Sequence, residues 1–141
     1  MDLVKQLYEE ALPLKPCSLF RGTETFREMM QVFLSPQGLE FCISHDFPRD
    51  EHLAAIREAG AADMGVHIDE GSGLALNPRT IVLVGDTDFD LFYDTVGYAC
   101  RVALMKGARC KIHASGYAVV SVTAQPGCGV MKTVRDHAIV R

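Results

Sequence analysis

Apolar residues recur every third or fourth position over the first sixty residues and every second position after that. In "LVKQLYEEAL", Leu3, Leu7 and Ala11 lie four apart, with Asp2 placed to cap a helix and Pro13 to end it. Thr25 and Glu28 have capping-box spacing ahead of "FREMMQVFL", whose apolar stripe is Phe26, Met30 and Phe33. Ser-Pro then opens a short helix over 36–44, with Leu39, Cys42 and Ile43 at i, i+3 and i+4. A last helix runs from about Arg49 to Ala59, turns Leu53 and Ile56 inward and stops at Gly60. Beyond it, "MGVHIDEG", "GLALNP" and "TIVLVG" are short, β-rich and bounded by glycine or proline, and no helix start follows residue 80. The pattern predicts an α+β chain: helices over 1–61 that cap a β segment over 62–141, within one compact domain.

The β half repeats itself. "DFDLFYDTVGYACRV", "GARCKIHASGYAVV" and "GCGVMKTVRDHAIV" superpose at about twenty residues, with Gly-Tyr-Ala recurring at 97–99 and 116–118. Their alternate apolar positions align as Phe89, Leu91, Tyr93; Ala108, Cys110, Ile112; and Cys128, Val130, Lys132. A fixed period with two short strands per unit predicts a C-terminal β-solenoid; the alternative is an antiparallel β meander or sandwich. The coil of glycine-punctuated strands over 80–141 resembles the bactofilin-type short β-helix. It also resembles small uncharacterised bacterial proteins with "LMKGA"- and "ASGYAVV"-like repeats. The helical first 61 residues depart from bactofilins, so the resemblance implies a fold and not a polymer.

The four aspartates of "VGDTDFDLFYD" raise the question of a calcium loop. An EF-hand counted from Asp86 requires glycine at position six and glutamate at twelve, where Leu91 and Gly97 stand. In the solenoid register Asp86, Asp88, Asp90 and Asp94 face outward instead. A nineteen-residue shift then sets Arg109 beside Asp90 and His113 beside Asp94. The net charge of −4 disfavours generic nucleic-acid binding. Residues 1–79 carry 13 acids against 7 bases, and 80–141 carry 5 against 7. Five cysteines without a CxxC imply free thiols in a reducing, cytoplasmic setting, and no signal peptide or membrane-spanning run is visible.

Candidate chemistry is sparse. His67 and Asp69 alternate in "GVHIDEG", which puts both on one strand face beside Glu70, within reach of a metal or a proton. Cys42 and His45 have helical spacing compatible with zinc but lack a second ligand pair. Cys110 falls in an inward series and is expected to be inert, whereas Cys128 follows a "QPG" turn and is the more accessible thiol. No P-loop, nucleophile elbow or GxGxxG occurs. The sequence thus favours a non-catalytic structural or protein-interaction module, with no catalytic, cofactor-binding or metal residue assigned. The alternative is a small hydrolase or metal-dependent enzyme using His67, Asp69, His113 or Cys128. The chain stops at "HAIVR" without a capping helix, and a homodimer through this C-terminal β edge is expected.

Overall fold

The computed structural model describes residues 2–16, 20–94 and 97–141. The chain divides into two compact units, Met1–Met64 and Gly65–Arg141.

The first unit holds helices α1 (Leu3–Ala11), α2 (Phe26–Phe33), α3 (Pro36–His45) and α4 (Leu53–Glu58). At the starts of α1, α2 and α3 side chains satisfy free backbone donors. Asp2 Oδ1 accepts the Lys5 N–H at 2.9 Å. Thr25 and Glu28 form the reciprocal capping box at 3.1 and 2.9 Å. Ser35 caps α3 with Pro36 in its first turn. The α1 stripe runs through Val4 rather than Leu3, and α2 buries Met29 and Met30. Phe33 lies 4.9 Å from Phe20 and 5.1 Å from Phe47 between ring centroids. Such aromatic pairs contribute roughly 0.5–1.5 kcal/mol each beyond the area they bury.

The second unit is a parallel β-solenoid. Strands β1 (Val66–Ile68), β3 (Thr80–Val84), β5 (Ala99–Met105), β7 (Val119–Ala124) and β9 (Ile139–Val140) form one sheet in that order. Strands β2 (Gly71–Leu76), β4 (Thr87–Tyr93), β6 (Arg109–Ala114) and β8 (Gly129–Val134) form the other. Every pairing is parallel, which rules out the meander. Each rung contributes one strand to each sheet, and its inward side chains stack on those of the next. Ile81, Val102 and Val122 form one column, and Leu91 and Ile112 another. Burying a side chain of this size stabilises by about 1.5–3 kcal/mol, and only a neighbouring rung can supply the burial.

The register corrects the nineteen-residue shift. Asp88 lies opposite Arg109, Asp90 opposite Lys111 and Phe92 opposite His113, a shift of twenty-one. The next rung follows at twenty. Gly-Tyr-Ala misled because it occupies the corner differently in its two copies: Ala99 pairs with Val119, not with Ala118. Nineteen and twenty-one share parity, so both shifts put each side chain on the same face and differ only in its neighbour, by one pleat.

Corners are tied between rungs by side chains. Asp69 Oδ1 accepts the Asp86 N–H at 2.7 Å. Asn77 and Asp94 bond reciprocally at 2.8 and 2.9 Å. Gln125 accepts from Lys106 at 2.8 Å, and Asp136 from Gly116 at 2.9 Å. Gly85 has φ +69°, and a Cβ there would lie 2.2 Å from Asp69 Oδ1. Gly107 has φ +83° with nothing within 4 Å. Both alanine substitutions carry the left-handed penalty of roughly 1–2 kcal/mol, but only Gly85→Ala displaces the Asp69 staple. Gly85→Ala is therefore expected to unfold in urea at a lower midpoint than Gly107→Ala; equal midpoints would contradict the staple.

Candidate functional site

His67 and Asp69 do not share a face. β1 ends at Ile68, and Asp69 turns the chain in a left-handed conformation with φ 49°. Its carboxylate is committed to the Asp86 N–H. His67, opposite Leu83 in the inward series, lies 4.7 Å from the Phe89 ring, and its Nδ1 contacts Glu70 Oε2. Beside it the buried Thr87 hydroxyl donates to the Val84 carbonyl at 2.9 Å and accepts from the Glu70 N–H at 3.2 Å. These bonds close a corner.

His113 is on the outer face of β6, stacked on Phe92 at 4.6 Å and 11°. Its Nε2 lies 3.5 Å from Asp90 Oδ1. It lines an open cleft of about 250 Å³ at the ends of β2, β4, β6 and β8, together with Leu76, Phe92, Asp94, Ser115 and Arg135. His67 is not among the lining residues. The two histidines sit in different sheets two rungs apart, one inward and one outward, so no histidine pair converges.

The aspartates are likewise spread rather than gathered. Asp86 and Asp88 approach Arg109 at 3.8 and 3.6 Å. Asp90 approaches His113, and Asp94 bonds Asn77. Exposed pairs of this kind stabilise by less than about 1 kcal/mol.

Cys110 is buried in the inward series, and desolvation, with smaller contributions from Asp88 and Cys128, pushes its thiol up to about 12. Burial likewise takes the Cys42 thiol to about 12. His45 lies against Phe41 at 4.7 Å, and neither Cys42 nor His45 belongs to a group of three metal-ligating side chains among the described residues. Tyr93 is buried with its hydroxyl lacking a protein partner, and burial, with Cys100, Cys110 and Tyr98 nearby, pushes its pKa above the usual phenol value and keeps it neutral. Cys128 is partly buried against the core one residue before β8, and Cys17 lies outside the described residues.

One grouping escaped sequence reasoning. Glu10, Glu51 and His52 bring metal-ligating atoms within 4.8 Å of one another, the one such group among the described residues. The Glu10 side chain is almost covered and Arg49 closes on it, with Nε at 2.8 Å from Oε1 and the backbone N–H at 3.1 Å. Glu10, then Glu51, raise the Arg49 guanidinium above its usual value. A cation thus already occupies the mouth of the triad, and the arrangement reads as an ion-pair network joining α1 to residues 49–52. Thirty-nine residues separate Glu10 from Arg49, and no local spacing signals the pair.

No family model, curated protein or solved structure matches the chain. Among the described residues no helix is long and apolar enough to cross a membrane.

The thiols give a direct test of the inward register. Native iodoacetamide labelling at pH 8 is expected to modify Cys128 at least tenfold faster than Cys110, as read by peptide mass spectrometry. Equal rates would mean that Cys110 is not in the core.

Proposed function

We propose that the protein is a non-catalytic interaction module whose working surface is the outer face of the β2-β4-β6-β8 sheet. One observation carries the reading. Leu74, Leu76, Phe92 and Met131 stand exposed on that face, at 62, 69, 37 and 66%. Around them lie Asp88, Asp90, Arg109 and Lys111. Exposed apolar side chains set among both signs of charge suit a protein surface, the charges fixing register and the apolar groups supplying burial. The bactofilin resemblance, and the bacterial origin it implies, fit a structural role, and the free thiols fit a cytoplasmic setting. In the enzymatic alternative, His67 and Asp69 are committed to different partners at one corner, while His113 and Cys128 lie on later rungs. Leu76→Lys with Phe92→Lys is expected to abolish cross-linking to a partner captured by the wild-type chain, with circular dichroism unchanged. Retained cross-linking would overturn the choice of face.

The homodimer has its own support. Val122, Cys128, Val130, Ala138 and Val140 pack on the core but are only partly buried, and Ile139 is half exposed. Lys132 occupies the inward position below Ile112 and keeps β8 out of such a contact. The contact therefore forms through β7 and β9. Light scattering at micromolar concentration is expected to give about twice 15.5 kDa, and Ile139→Lys to return the monomer. A wild-type monomer would reject the dimer.

A further inference from the structure

Four strands have a free edge: β1 and β9 in one sheet, β2 and β8 in the other. Three are blunted in the ways that natural sheets use to avoid unwanted pairing. β1 has three residues, β9 has two, and β8 carries Lys132 on its inward face. β2 is six residues long, "GSGLAL", with no charge and no proline.

The β2 backbone is open on one side. Gly71 and Asn77 donate to Asp86 and Phe92, so the odd-numbered residues of β2 turn their N–H and C=O groups to β4. Those of Ser72, Leu74 and Leu76 point the other way. Among the described residues no backbone hydrogen bond outside the ladder reaches them. The inward positions of β2 are Gly71, Gly73 and Ala75, all only partly buried. The Phe89 ring already fills the space where a Gly73 Cβ would stand, at 2.5 Å. The first rung is thus shallow on this side, with Phe89 and Leu91 beneath it. One strand further in, Asp88 and Asp90 face outward.

The geometry points to strand addition at β2. The edge takes an extended segment of a protein partner, with bulky aliphatic residues at alternate positions and no acidic residue at the positions between. The aliphatic groups cover Gly73 and Ala75 and complete the column that ends at Phe89 and Leu91. The intervening residues lie beside Ser72, Leu74 and Leu76, where Asp88 and Asp90 repel acids and tolerate threonine or lysine. Main-chain bonds supply affinity and the alternating side chains supply selection. This rests on the interaction-module reading and names the partner's chemistry.

The probe is an end-capped hexapeptide of alternating lysine or threonine with valine, used with the full chain. Comparison peptides are two copies N-methylated at alternate residues in opposite phases, and one with glutamate in place of lysine. Amide hydrogen exchange by NMR is expected to slow at least tenfold at Ser72, Leu74 and Leu76 when the parent peptide binds. One methylated phase should lose binding while the other keeps it, and the glutamate copy should bind at least tenfold more weakly. Leu74→Lys, whose side chain points away from the core, should weaken binding similarly with the fold intact. Absence of protection at these three amides with millimolar peptide overturns the proposal, as does equal binding of both methylated phases. Shifts confined to Phe92, His113 and Met131 would also overturn strand addition and leave the interaction-module reading standing.

Discussion

A rung of this solenoid cannot bury its own inward side chains; only the next rung can. Leu91 and Ile112, with neighbours on both sides, are fully buried, whereas Val130 in the last full rung is only partly covered. The composition of the columns follows that gradient. Tyr93, Leu104 and Val102 occupy the middle, while the first rung offers Gly73 and Ala75 and the last turns Lys132 inward. A lysine under Ile112 is intolerable in an interior rung, because an ammonium there would have neither water nor a counter-charge. At a terminal rung its stem covers Ile112 while its head stays wet.

The same geometry spreads the carboxylates of the acid-rich stretch along the sheet. Outward residues on one strand are two positions apart, about 6.6 Å along the chain, and they point in parallel. Asp88 and Asp90 do not converge, and each meets a basic group on the neighbouring strand instead. Convergence occurs only at corners, where the chain leaves the strand. Asp69, Asn77, Asp94 and Asp136 converge there on backbone N–H groups or on each other. Acidic and amide side chains do structural work at the bends.

Periodicity made much of this legible. The caps at Asp2, Thr25 and Ser35, the change of period after Gly60 and the inward identity of Phe89, Leu91, Tyr93, Cys110 and Ile112 follow from local spacing, because helix and strand impose different repeats. Register did not follow, because corner residues do not obey the strand period. Tyr98 packs partly against the core with Arg79 over its ring, whereas Tyr117 is exposed and stacks on His137. Two copies of one tripeptide thus occupy different corner positions. The pairing of His67 with Asp69 failed for the same reason: alternation was carried one residue past the end of β1. Glu10 with Arg49 was invisible because it joins segments that only tertiary packing brings together.

The interaction reading depends less on the apolar side chains than on what the sheet does with its charges. Arg109 is shared between Asp86 and Asp88, and His113 lies between the Asp90 carboxylate and the Phe92 ring, so both basic groups sit near partners of their own. Lys111 lies between these pairs, flanked in register by Asp90 and Met131. A surface on which opposite charges alternate at strand spacing presents little net field. It cannot steer a partner from a distance, where selectivity would rest on net charge. Discrimination must then come at contact, from whether an incoming charge meets its opposite in register and whether an incoming side chain covers Leu74, Leu76 and Phe92. That is the selectivity of a docking face.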